Sequence, residues 1–104
     1  MARIDIAPQV SNGATAVSLV AAVDGKIVYP TRLVFTNTSA TVAQTIILLS
    51  DTTEMERYYL PAGGTIGFGP EDQRPVRTTI SQALKYKQGA AGTAVYASGS
   101  AEQL

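Results

Sequence analysis

The chain has 104 residues, a length that suits one domain with a modest core. Its eight basic and eight acidic residues balance, so it lacks the basic excess of nucleic-acid binders and of chains drawn to anionic membranes. Cysteine and histidine are absent, and this excludes disulfides, thiolate zinc sites and acid–base catalysis by histidine.

The N-terminal segment is polar and is interrupted by Pro8 and by Asn12-Gly13. We interpret residues 1–13 as an arm with a short strand at residues 3–6. The start has no apolar run of the kind that a secretory signal needs, and no stretch approaches the ~20 apolar residues that span a bilayer. These features predict a protein made and retained in a cytoplasm unless lysis releases it.

A strand is predicted for residues 14–23, where small apolar side chains alternate at period two, and six further strands follow between turn residues. Pro30 has no N–H to donate to a ladder, so its position must be an edge or a bulge. The double glycine Gly63-Gly64 is expected to supply a positive φ in a turn. Residues 14–23 and 81–88 also fit a helix, although alternation favours strands. The six strands are 26–37, 41–51, 54–61, 65–69, 76–88 and 93–98.

Eight short strands with a turn roughly every ten residues are typical of an all-β sandwich. We place the sandwich domain at residues 14–98, between the arm and a C-terminal tail at 99–104.

The segment from Ile46 to Leu49 is apolar on both faces, although a sandwich strand needs only one apolar face for its own core. Leaving Ile47 and Leu49 in water would forgo about 1.5–3 kcal/mol each. Two interpretations stay open: a loop or the arm covers the second face, or a neighbouring subunit does. Only 15% of the residues are charged, which also favours cover by partner subunits. A homo-oligomer is the working hypothesis.

Little in the sequence suggests a reaction. Glu54 and Glu56 are two apart on a predicted strand, which would put them on one face about 7 Å apart, but glutamates are common on the outer face of a strand. Asp51 is expected to cap backbone amides in its turn rather than to bind calcium. Four tyrosines could form a platform for sugars, or could belong to the core or a subunit interface: Tyr58, Tyr59, Tyr86 and Tyr96. No catalytic residue, metal ligand or cofactor is predicted.

Several segments in order resemble one group of proteins. They are Gly25-Lys26-Ile27, LVFTNTSATVAQTIILLSD (33–51), YYLPAGGTI (58–66), QALKYK (82–87) and a last strand ending in Val95-Tyr96. This order is similar to that of the small jelly-roll β-sandwich proteins of tailed-bacteriophage particles, over residues 25–97. The resemblance implies an all-β fold, a single jelly-roll-like antiparallel β-sandwich of about eight short strands.

The resemblance also implies a structural role in the virion, assembled in the host cytoplasm. The leading expectation is a capsid decoration (cement) protein that binds and stabilises the outer surface of a phage head. The alternative is a tail, fibre or baseplate module that contacts host-surface glycans. The expected partners are the major capsid protein and copies of the chain itself, as a trimer, with no nucleic acid, membrane, cofactor or enzymatic activity. The candidate interface residues are Arg3, Ile4, Ile6, Ile47, Leu49, Tyr58 and Tyr59.

Overall fold

The computed structural model describes residues 2–13, 15–68, 77–89 and 94–104. Over these ranges the chain forms eight strands and no helix, and therefore no helix that could cross a membrane. The strands are β1 (Ala2–Ser11), β2 (Val17–Val20), β3 (Val28–Asn37), β4 (Gln44–Ser50), β5 (Thr53–Leu60), β6 (Thr65–Phe68), β7 (Leu84–Gln88) and β8 (Val95–Gln103).

The strands pair as a nested set, which fixes the architecture. Among the described residues β1 pairs with β8, β2 with β7, β3 with β6 and β4 with β5, all antiparallel. The first sheet has the order β1-β8-β3-β6 and the second sheet the order β2-β7-β4-β5. This is a long hairpin folded over on itself, the strand order of a jelly roll. The predicted all-β jelly-roll sandwich is confirmed.

Inward side chains of both sheets form one core. Phe35 of the first sheet packs against Tyr86 of the second, with ring centroids 5.6 Å apart. The Tyr86 hydroxyl lies 2.9 Å from the carbonyl oxygen of Val95 and 3.1 Å from that of Gln9, so its polar end is satisfied. Burial raises the pKa of Tyr86 to about 12. The neighbouring inward Gln88 donates from Nε2 to the Ser11 carbonyl oxygen at 2.6 Å.

Among the described residues, register shifts interrupt four of the strand pairs. Pro30 lies at one of them, where β3 shifts register against β8 between Pro30 and Arg32. Its position confirms the prediction that Pro30, which has no N–H to donate, lies at an edge or a bulge. A second shift, between Leu48 and Leu49, leaves Met55 as the extra residue of β5.

The turn after β5 is held by Asn37, a residue from another of the segments that carry the family resemblance. Gly63 has φ +65°, as predicted for the double glycine. The buried Asn37 donates from Nδ2 to the carbonyl oxygens of Val42, at 2.8 Å, and Pro61, at 3.3 Å. Its Oδ1 accepts the N–H of Ser39. One amide therefore fixes both the loop after β3 and the turn after β5.

Several boundaries differ from the sequence prediction, among them the predicted strand 14–23, which is the shorter Val17–Val20, and three larger differences follow. The arm is not separate, since residues 2–11 form β1 and pair along β8 from Ala2–Gln103 to Ser11–Val95. The tail is not separate either, since β8 continues to Gln103. Of the described residues 77–88 in the strand predicted at 76–88, only Leu84–Gln88 form a strand. Residues 77–83 instead bond across to β3 and β4, for example through Thr78 to Val28, and Ser81 has φ +64°. Residues 1, 14, 69–76 and 90–93 lie outside the described chain.

Candidate interaction surfaces

Three of the predicted interface residues contribute to the core instead of the surface. Ile6 is part of the buried cluster, and Ile4 packs against it from the same strand. Tyr58 is half-buried and stacks on Phe35 at 6.2 Å between ring centroids. These side chains point inward because β1 and β5 each alternate, so that one residue in two faces the opposite sheet.

Ile47 and Leu49 lie on the outward side of β4, yet they are only 4% and 3% exposed. The chain itself buries this face, but the neighbours that the described residues place there belong to the adjacent strands, and not to the predicted loop or arm. The register sets Ile47 between Arg57 and Lys87, and sets Leu49 beside Lys85. Long charged side chains bury their aliphatic stems over apolar neighbours while their heads stay in water. In the described part of the chain, cross-strand neighbours therefore cover the outward side of β4.

The bulge in β5 rearranges the charges on this side. Glu54 pairs with Leu49 and Glu56 with Leu48, so the two glutamates lie on opposite faces and the predicted carboxylate pair does not form. The extra residue instead brings Glu54 and Arg57 together, with Nε of Arg57 donating to Oε2 of Glu54 at 2.7 Å. This hydrogen bond lowers the pKa of Glu54. The cover over β4 therefore includes the Arg57–Glu54 ion pair beside the lysines of β7.

Tyr59 is the one interface candidate of β5 that remains on the surface, at 69% exposed. Its neighbour across the strand is Thr45, and the N–H of Gly89 donates to the carbonyl oxygen of Thr45. These three residues form a level row across β5, β4 and the end of β7, which we call the tyrosine ledge. A depression of about 380 Å³ lies along it, with Arg57 at its rim.

The outward side of the first sheet is built differently. Val10 of β1 and Tyr96 of β8 are directly opposite each other and are 41% and 49% exposed. Thr36 of β3 and then Thr65 of β6 continue the same row. Here a valine and a tyrosine side by side form an apolar patch with hydroxyl neighbours, and we call it the Val10–Tyr96 patch.

Beyond this patch the first sheet has a trough along β8, because Ser98 and Ser100 are short and Gly99 has no side chain. Gly99 has φ +150°, and a Cβ there would lie 1.9 Å from the carbonyl oxygen of Arg32. Arg3 and Arg32 flank a depression of about 330 Å³. Arg3 is itself paired with Asp5, at 3.3 Å between Nε and Oδ1. The outward side of the first sheet is therefore apolar at one end and charged at the other.

The sequence predicts an interface role on this side for Arg3 but not for Val10, Tyr96 or Arg32. Tyr96 enters the prediction as one of four tyrosines of a possible sugar platform and as part of the last strand, and Val10 is assigned to the arm. The alternation of Val95, Tyr96 and Ala97 does contain the signal, since a large aromatic between two small or inward residues must face out when its neighbours face in.

Asp51 takes the structural role that its turn predicted. Its Oδ1 accepts the N–H of Ala83 at 2.9 Å, and its own N–H donates to the Ala83 carbonyl oxygen. In the part of the chain that the structure describes, no group of three acidic side chains is placed to hold a metal ion. Among the described residues, the tyrosine ledge, the Val10–Tyr96 patch and the trough are three surfaces that could serve interactions.

Comparisons with known proteins give little further information. No protein-family profile matches the chain, and no curated protein matches its sequence. A solved structure of an acetyl xylan esterase (Est2A) from the rumen bacterium Butyrivibrio proteoclasticus aligns with 100% of this chain at 9% identity and a TM-score of 0.43. The chain spans 33% of that protein. A likeness at this level carries no information about activity.

Proposed function

We propose that the protein is a structural component of a tailed-phage particle, a decoration protein that binds the outer surface of the head and stabilises it. The resemblance of residues 25–97 to small phage β-sandwich proteins is one support. Two segments of that resemblance meet at Asn37, whose side chain joins the loop after β3 to the turn after β5.

The observation that carries the proposal is the open outward side of the first sheet. Val10 and Tyr96 leave an aromatic and a branched apolar side chain in water side by side. Interfaces use such anchors at their centre and polar or charged groups at their rim. The patch supplies the centre, and Arg3, Asp5 and Arg32 at the other end of the same side supply a rim of both signs. A rim of mixed charge suits a protein partner better than a polyanion.

The major capsid protein is the proposed partner, and the decoration protein is proposed to act as a trimer. A repeated lattice offers the same docking surface many times, so several weak contacts by one trimer add up to tight binding. The apolar face of β4 no longer supports a subunit contact, because the chain itself covers Ile47 and Leu49. Any trimer contact is instead expected at the first sheet or at a strand edge.

Co-sedimentation with expanded heads tests the proposal. Wild-type protein should bind assembled heads much better than unassembled coat protein, and Tyr96→Asp should weaken binding to heads by about a hundredfold by burying an unpaired charge. Tyr59→Ala, which changes an exposed tyrosine on the other sheet, is the matched control and should bind as wild type. Equal binding to heads and free coat protein, or no effect of Tyr96→Asp, would refute the proposal. Deleting the first thirteen residues is not a suitable test, since it removes β1 from the sandwich.

A further inference from the structure

We infer that the tyrosine ledge is a carbohydrate-binding site that takes a pyranose ring of a neutral polysaccharide. This site lies on the second sheet and is separate from the head-binding surface proposed above, so neither inference depends on the other. It is formed by Tyr59, Thr45 and Gly89, with Arg57 at the rim.

The shape of the ledge suits a flat, amphipathic ligand. Tyr59 is 69% exposed, and in the described part of the chain β5 is the edge strand of the second sheet. Gly89 has no side chain, so it adds no bulk to the row beside the ring. The depression of about 380 Å³ is at the lower end of the range for small-molecule sites, roughly 300–1,000 Å³.

The chemistry of the ledge favours a sugar over a protein partner. Protein hot spots gather several apolar or aromatic side chains in one desolvated cluster. Among the described residues the ledge has a single ring, and Thr45 and Arg57, which share its face, are the polar side chains beside it. A pyranose presents an apolar face of C–H groups with hydroxyls around its edge. Such a ring can stack on Tyr59 while its hydroxyls exchange hydrogen bonds with the rim.

Arg57 is the charged residue among those that line the depression, while Lys87 lies beside Ile47, and the pairing of Arg57 favours a neutral sugar. Arg57 donates its Nε to Glu54 at 2.7 Å, so the two groups form a neutral pair. The guanidinium keeps its outer N–H groups for a hydroxyl, but the pair offers no net positive charge to an acidic sugar. An open ledge buries little of its ligand, so we expect dissociation constants on the order of 1 mM for one chain.

Saturation-transfer NMR of the whole protein with gluco-, manno-, galacto- and xylo-hexaose tests the inference. At least one hexaose should receive transfer at its ring protons, Tyr59→Ala should weaken its binding about tenfold, and Tyr59→Phe should keep it within about twofold. Tyr96→Ala, on the other sheet, is the matched control and should leave binding unchanged.

A second variant probes the site without removing the ring. Gly89→Leu should fill the depression, and its Cβ would meet only ordinary contacts, 3.6 Å from Cβ of Thr45, so the fold should tolerate it. Loss of hexaose binding in Gly89→Leu, with an unchanged circular dichroism spectrum, supports the site. Binding that survives both Tyr59→Ala and Gly89→Leu, or the absence of binding by all four hexaoses, would overturn the inference. Neither result bears on co-sedimentation with heads.

Discussion

The two sheets differ in the outward-facing side chains of their central strands and of the strands next to them. In the second sheet the central strand β4 presents Ile47 and Leu49, and lysine and arginine stems on both neighbouring strands close over them. In the first sheet the central strand β8 presents Ser98 and Ser100, too short to cover anything, while Tyr96 stands exposed at one end. Apolar residues alone therefore do not reveal which face lacks a partner, because the length of their cross-strand neighbours decides whether water reaches them.

The largest expected effect comes from the glycine at the base of the trough. Gly99→Ala places a Cβ 1.9 Å from the Arg32 carbonyl oxygen at φ +150°, so β3 and β8 must separate. We expect a loss of about 3 kcal/mol or more in the free energy of unfolding, measured by urea denaturation. Gly89→Ala on the second sheet is the control and should change stability by less than about 0.5 kcal/mol. Similar losses of unfolding free energy in the two variants would contradict the close approach of β8 to β3 at Gly99.

Ile47→Ala should cost about 2 kcal/mol of unfolding free energy, because a nearly buried side chain is removed from beneath its cover. Val10→Ala, which removes an exposed side chain from the first sheet, should cost less than about 0.5 kcal/mol. Both are read from urea denaturation of the isolated protein. An Ile47→Ala value as small as that of Val10→Ala would mean that the second sheet is not closed in solution.

Substitutions of Lys87 test whether its aliphatic stem or its charge accounts for the cover over Ile47. Lys87→Met keeps an unbranched stem and removes the charge, whereas Lys87→Ala removes both. If the stem covers Ile47, the alanine variant should lose about 0.5–1 kcal/mol and the methionine variant almost nothing, again by urea denaturation. Equal losses in the two variants would assign the effect to charge instead.

The smallest expected effect is a loss of stability at acidic pH. The pKa of Glu54 is lowered in the folded state by its hydrogen bond to Arg57, so its contribution to stability is present above the carboxyl's ordinary pKa. That contribution should disappear as the pH falls through the lowered value. Glu54→Gln should flatten this part of the stability profile, measured by thermal unfolding from pH 6 to pH 2. Because the pair is exposed, 1 M salt should weaken the effect in the wild type, and a salt-independent slope would point to another group.

The sequence predicted the features that depend on neighbours along the chain. Alternation and turn residues predicted an all-β sandwich, the missing N–H of Pro30 predicted its bulge, and the double glycine predicted the positive φ of Gly63. It missed features that depend on strand pairing. The extra residue Met55 is set by the register against β4, and the partner of residues 2–11 is a strand at the other end of the chain.

The candidate surfaces also combine features that the sequence predicts with features that only strand pairing creates. Tyr59 was named from the sequence and is exposed, but Gly89 and Thr45 become its neighbours only through the second sheet. The cover over Ile47 comes from Lys87, on a strand that the linear pattern does not connect to β4. A face can be judged open or closed only when the residues beside it in space are known.

The pairing of Ala2 with Gln103 also decides where attachments to this protein would be tolerated. This pair lies at one corner of the sandwich, beside Arg3 and Glu102, whereas the two aromatic surfaces lie at the opposite end of the strands. A fluorescent label on a cysteine introduced at the exposed Arg3 would hence project away from Tyr59 and Tyr96 alike. Both surfaces would then stay accessible to their ligands while the label reports on the bound protein.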